Sequence, residues 1–256
     1  MRKYTADMAQ PDFHQQLQAW LQQSPGQMLL EQEQGCLEQI FPELFGYHLI
    51  QLGGSGFDFN LSSISRFRSH VVLDISAQAQ PLASLVQTDL VELPILSDSI
   101  DAVLMPHTLD FSVDPHQVLR EVERILIPEG RVVILGFNPL SLWGAWRLFN
   151  RSSGIIPWQS HFYGLRRIND WLSLLGFDVE VTRHLMFRPP LRGQRIMERL
   201  EYIERIGQRF WPLLSSVYMV QAVKRVSTAT IIRPAWKTKS SLLGGHIAEP
   251  TTRNVE

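Results

Sequence analysis

Two carboxylates, one imidazole and a glycine pair each follow a short apolar run, the place where an α/β chain carries its chemistry. Gly53 and Gly54 follow a buried run over residues 47–52. Asp74 closes a second run over residues 70–73, Asp89 a third over 84–88, and His107 follows a fourth over 100–105. Glycines directly after a buried strand let the backbone turn sharply and approach a ligand closely. A carboxylate at the end of the second strand of a nucleoside-binding sheet accepts sugar hydroxyls, which is the chemistry expected of Asp74. A neutral imidazole, with an ordinary pKa near ~6.5, takes up a proton at neutral pH, so His107 is the candidate general base. Asp110 and His161 are secondary candidates. The chain has no HExxH, GxSxG or P-loop, so zinc proteolysis, α/β-hydrolase chemistry and nucleotide hydrolysis lack support.

Positioning these groups on one rim requires parallel strands, and residues 89–139 carry the pattern that makes them. Residues 100–105 are apolar except for Asp101, as in a strand buried on both faces. Asp114 reads as a helix N-cap, Pro115 as its first residue, and Gln117 as the partner reaching back in a capping box. Val118, Leu119, Val122, Ile125 and Leu126 recur at helical spacing, which turns Arg120, Glu121, Glu123 and Arg124 toward water. Pro128, Glu129 and Gly130 end that helix, and residues 131–136 form the next buried strand. Strand, crossover helix and strand make a right-handed βαβ unit.

The residues Asp89, Leu93-Pro94, Asp98-Ser99-Ile100-Asp101, His107, Asp114-Pro115 and the run RILIPEG from Arg124 to Gly130 carry a resemblance. Together they resemble class I S-adenosylmethionine-dependent methyltransferases, in particular the small-molecule type that includes ubiquinone-biosynthesis enzymes, over residues 49–226. The resemblance implies an α/β, doubly wound, Rossmann-like sheet of seven strands in the order 3-2-1-4-5-7-6, with only strand 7 antiparallel. It implies S-adenosyl-L-methionine as cofactor, held by Gln51, Gly53, Gly54, Asp74, Ile75, Asp89, Leu90 and Met105. Asp89 would face the adenine amine and Leu90 would wall the ring. His107 would stand exposed over the rim beside a small-molecule acceptor. The family pattern, acidic-x-Gly-x-Gly-x-Gly, is broken here: aligned on Gly53, it meets Gln51, Ser55 and Phe57 at the acid and the last two glycines. Gln51 accepts a hydrogen bond but brings no charge to the cofactor's ammonium end. Three readings stay open: an active methyltransferase, a protein of that fold that binds the cofactor without catalysis, and an NAD-dependent dehydrogenase. The helix opened by Asp114-Pro115 and the lack of a full GxGxxG argue against the last.

Residues 1–46 read as a helical cap. Phe13, Leu17, Trp20 and Leu21 mark one helix face, and Leu29, Leu30, Glu33, Leu37 and Ile40 mark a second over residues 27–41. Cys36 reads as a buried apolar residue. Beyond Pro139, Leu142, Trp143, Trp146, Leu148 and Phe149 suggest a core or lid helix, and the aromatic loop over 150–164 suggests pocket walls. Residues 165–175 read as a helix, and residues 177–185 and 216–225 as a closing hairpin. Residues 194–210 form an amphipathic surface helix, and residues 227–256 show no periodicity and read as a disordered tail. At 256 residues with 45% hydrophobic content the chain is an ordinary globule, and its formal charge of −1 gives no pull toward nucleic acid or anionic membrane. One cysteine excludes an internal disulfide and a multi-cysteine zinc site. A polar N-terminus and short apolar runs predict a cytoplasmic protein without stable membrane insertion.

Overall fold

The structure is a computed structural model. It describes residues 13–54, 57, 59, 61, 64–75, 84–150, 156–190, 207, 209 and 211–226. The expected amphipathic helix over 194–210 lies outside these apart from Gly207 and Arg209, and the expected tail over 227–256 lies wholly outside. In chain order the main elements are α1 (Phe13–Leu21), α2 (Gly26–Ile40), β1 (Phe45–Leu52), β2 (Arg66–Asp74), β3 (Ser84–Gln87), β4 (Ile100–Pro106), α3 (Thr108–Phe111) and α4 (Pro115–Ile125). They continue with β5 (Leu126–Phe137), α5 (Leu142–Asn150), α6 (Leu165–Leu174), β6 (Phe177–Leu185) and β7 (Val217–Lys224).

Among the described residues, seven strands form one sheet in the order β3-β2-β1-β4-β5-β7-β6. Strands β1 to β5 pair in parallel, and β7 runs antiparallel to both β5 and β6. This is the doubly wound order that the resemblance implies, with the parallel pairing expected from the βαβ pattern. The order reverses between β1 and β4, so the crevice of the fold opens at the carboxyl ends of those two strands.

Side chains fix the register where the pattern alone would not. Asp101 interrupts the apolar run of β4 because its Oδ2 accepts from the backbone N–H groups of Tyr47 (3.0 Å) and His48 (2.9 Å) on β1. Asp114 caps α4, accepting at Oδ1 from the Gln117 N–H at 3.0 Å. The reciprocal half of a capping box is not formed, because the Gln117 side-chain amide donates to Val91 O instead, at 3.4 Å. Nor do Glu121 and Arg124 simply face water. Arg124 donates to Leu93 O (3.0 Å) and Ile95 O (2.8 Å), and Glu121 accepts from Leu93 N (2.8 Å). The pair clamps the loop that leads into β4. At the end of β7, Lys224 is buried and its Nζ donates to Asp98 Oδ1, Glu123 O and Leu126 O at 2.7–2.9 Å.

The helical cap is part of the core. Phe13, Leu17, Leu29, Leu37 and Ile40 are buried in the same apolar cluster as Leu104, Met105 and Phe137 of the sheet. Cys36 is buried with them, and its thiol is pushed up to about 11 by that burial. By contrast α5 meets the core along one edge only. It buries Trp143 and Gly144, while Leu148 and Phe149 are 71% and 84% exposed. The contact edge is narrow because Gly144 lies against the Pro139 backbone, where any side chain would collide.

Candidate functional site

Site residues gather at the carboxyl ends of β1, β2 and β4 and in the loop after β3. Gly53 and Gly54 both adopt φ of +64°, the left-handed region that favours glycine. A Cβ on Gly54 would come within 2.7 Å of Pro106 Cγ, so this turn packs directly on the end of β4. Gly53 N donates to Leu73 O at 2.7 Å, which ties the turn to β2. Gln51 is buried, and its side-chain amide donates to the carbonyls of Gly53 (3.4 Å) and Gly54 (3.3 Å). Asp74, wholly buried, accepts from Ile75 N at 2.7 Å. Asp89 is exposed, and its Oδ1 accepts from Val91 N at 3.1 Å.

A cavity of about 600 Å³ opens beside these residues, within the range of small-molecule and cofactor sites. Ile75, Asp89 and Leu90 line it, and the far wall includes Ser112, Val113 and Gln117 from the segment between α3 and α4 and the start of α4. Ile75, Asp89 and Leu90 are thus brought together on an open cavity. Gln51, Gly53, Gly54, Asp74, Met105 and His107 are buried outside its lining. Over Asp74 lies α1, whose buried His14 places Nε2 3.7 Å from Asp74 Oδ1. Burial pushes the His14 pKa down, and the Asp74 carboxylate opposes that push.

His107 does not stand exposed over the rim. It is wholly buried, with φ of 53°, and the left-handed backbone turns the chain directly from β4 into α3. The ring stacks between Phe57 and Phe137, with centroids 5.0 and 4.0 Å away. Nδ1 lies 3.0 Å from Asp110 Oδ2, and Nε2 lies 2.7 Å from Glu33 Oε1 of α2. Burial alone would depress the imidazole pKa. The Glu33 charge and the hydrogen bonds to Asp110 and Glu33 outweigh that and raise it to about 9. That shift favours the imidazolium, in which both nitrogens donate and no lone pair is left to accept a proton.

Asp110 is equally buried, and desolvation pushes its pKa up against the opposing pull of His107 and of the Phe137 and Tyr163 backbone amides. Its Oδ2 also accepts from Phe137 N at 2.9 Å. His161 joins through its backbone, donating to Asp110 O at 2.8 Å, and its ring stacks on Tyr163. Glu33 and His14 were not singled out from sequence as site residues. Glu33 left a signal: a carboxylate within the apolar helical face of Leu29, Leu37 and Ile40 must be buried and needs a partner. His14 left none, since one histidine beside Phe13 on a short helix is unremarkable. Among the described residues no group of side chains is arranged to hold a metal ion.

The comparisons with known proteins point the same way as the topology. A family model for a methyltransferase domain matches residues 53–134. The chain is 40% identical over 143 residues to the uncharacterized protein YafS of Escherichia coli (strain K12), covering 56% of this chain and 58% of that protein. It is 31% identical over 96 residues to a demethylmenaquinone methyltransferase of Chlamydia pneumoniae, covering 35% of this chain and 41% of that one. Both matches span less than two thirds of the relative's own length. A SAM-dependent methyltransferase from Thermotoga maritima shares the fold with a TM-score of 0.58 at 16% identity, covering 77% of this chain and 89% of that one. An S-adenosylmethionine-dependent methyltransferase from Mesorhizobium loti does so with a TM-score of 0.53 at 16% identity, covering 74% and 96%.

Proposed function

We propose, for a chain with a methyltransferase domain over residues 53–134 on the class I methyltransferase fold, that it binds S-adenosylmethionine and transfers the methyl group to a small-molecule acceptor. The observation that carries this reading is the cavity lined by Ile75, Asp89 and Leu90 beyond the carboxyl ends of β2 and β3, closed on its far side by the segment that leads into α4. When bound, the cofactor supplies an electrophilic methyl on a sulfonium. Asp74 holds the ribose hydroxyls, Asp89 accepts from the adenine amine and Leu90 packs on the ring. Gly53, Gly54 and the end of β4 at Met105 receive the amino-acid end. The protein need carry no nucleophile: holding acceptor and methyl in line, away from water, supplies roughly 7–11 kcal/mol of the barrier. His107 belongs to this scheme as a positioning residue, fixed by Glu33 and Asp110. A small acceptor is supported by the likeness to the demethylmenaquinone methyltransferase of Chlamydia pneumoniae.

Calorimetric titration of the purified protein with S-adenosylmethionine, S-adenosylhomocysteine and NAD tests the reading. Binding of the first two, with NAD at least about tenfold weaker, is expected. Preference for NAD, or binding of none, would sink it. One observation favours a non-catalytic binder as the second reading: His107 is buried between Glu33 and Asp110 and does not stand at the open cavity. Transfer of label from methyl-labelled cofactor to a component of cell extract decides between the two.

A further inference from the structure

Glu33 is a buried carboxylate that neither the family match nor the fold accounts for. It comes from α2, outside the matched residues 53–134. The side chain is wholly buried, its Oε1 bonds to His107, and its Oε2 is buried with no hydrogen-bond partner. A carboxylate oxygen left dry and unpaired is costly, more so than a neutral acceptor, and such an atom in a native site calls for a donor supplied from outside.

The position of this oxygen narrows the donor. His107 is bracketed by neighbours that contact the glycine turn. Pro106 packs on Gly54, and Thr108 donates its hydroxyl to Leu52 O. Phe57, just past the turn, stacks on the His107 ring. Near the end of β1, neutral Gln51 presents its amide N–H groups to the Gly53 and Gly54 carbonyls. Two carboxylates beside His107 keep a buried oxygen without a partner, Glu33 Oε2 and Asp110 Oδ1; Asp110 is also held by the Phe137 N–H, whereas Glu33 bonds to His107 alone, so the acceptor assigned to the turn comes from the cap.

We propose that Glu33 reads the ammonium group of the donor's amino-acid end, accepting from it at Oε2, while His107 and Asp110 hold the carboxylate in place through Oε1. This rests on the reading of the site as an S-adenosylmethionine site. Glu33 supplies from α2 the negative charge that β1 lacks, and the cap thereby becomes part of the donor site.

Calorimetry with three ligands tests the assignment on wild type and Glu33→Gln: S-adenosylhomocysteine, its analogue lacking only the ammonium, and 5′-methylthioadenosine, which lacks the whole amino-acid end. Glu33→Gln is expected to bind S-adenosylhomocysteine about 10- to 100-fold more weakly than wild type, the loss of one charge-assisted hydrogen bond. Its affinities for the other two should stay within about twofold. Equal losses for all three ligands would make Glu33 a merely structural residue and overturn the assignment, as would no loss at all. Wild type gives an independent arm should the variant not fold: a preference for S-adenosylhomocysteine over its deaminated analogue below about threefold overturns the assignment by itself. Wild type that binds 5′-methylthioadenosine without that preference removes only this assignment. Wild type that binds none of the three removes the cofactor reading with it.

Discussion

At the scale of single residues, the two carboxylates of the proposed site differ in what they can lose. Asp74 is buried and Asp89 is exposed, so the proposed pairings with ligand groups lie in unlike surroundings. Asp74→Ala should weaken S-adenosylmethionine binding about 10- to 100-fold, with Asp74→Asn intermediate, because charge-assisted bonds to two hydroxyls are lost. Asp89→Asn keeps an acceptor and should cost less affinity than Asp89→Ala; equal affinity for both and for wild type would remove Asp89 from the site. His107 makes a prediction of another kind. Facing Glu33 and Asp110, it holds its proton to about pH 9 in the folded chain, against about 6.5 when unfolded. The stability it contributes is complete below pH ~6.5 and is lost as pH rises through 9. Melting temperature should therefore fall across pH 6.5–9 in wild type, and this part of the slope should vanish in His107→Gln. A wild-type profile flat over that window would show that the imidazolium is not there. The position of His107 at a strand end was legible in the sequence. The direction of its ring was not, because apolar periodicity says where β4 stops and nothing about the φ of the next residue.

At the scale of elements, the turn after β1 and the clamp on α4 show how local chemistry sets the rim. Gly54→Ala places a Cβ both at φ of +64° and within 2.7 Å of Pro106, so two penalties add at one atom. It should cost at least about 1–2 kcal/mol of stability from the backbone alone and weaken ligand binding as well. Thermal melts with and without S-adenosylhomocysteine check both, and an Ala variant as stable as wild type would mean the turn is drawn wrongly. The parallel strands were legible because each is a short apolar run ended by a glycine, proline or acid, and the closing hairpin because residues 177–185 and 216–225 carry a shared β pattern. The clamp was not. In sequence Glu121 and Arg124 are one more pair of charges on the polar side of a helix, and only the loop folding back over α4 gives them the Leu93 and Ile95 backbone to bind. The outward face of α5 escaped for the opposite reason: its apolar residues suggested burial, whereas Gly144 on Pro139 lets only one edge reach the core.

At the scale of the molecule, residues 13–226 form one compact unit in which cap and sheet share a core. Leu17 is 1% exposed on α1, so Leu17→Ala should cost about 2–5 kcal/mol, and the loss should appear in a single thermal transition of the whole unit. A separate low-temperature step would instead make the cap an independent piece. The strand order also has a consequence in time. Since β7 lies between β5 and β6, neither outer strand has its final neighbour until Val217–Lys224 has been made. About 80 residues separate the end of β5 at Phe137 from the start of β7 at Val217. At ~5–20 residues per second a ribosome takes roughly 4–16 s to cross them. Throughout that interval the nascent chain presents the β5 edge, with Val133, Ile134 and Leu135 on it, to whatever else is being synthesised nearby. Survival in the cell then depends on what shields that edge while translation continues.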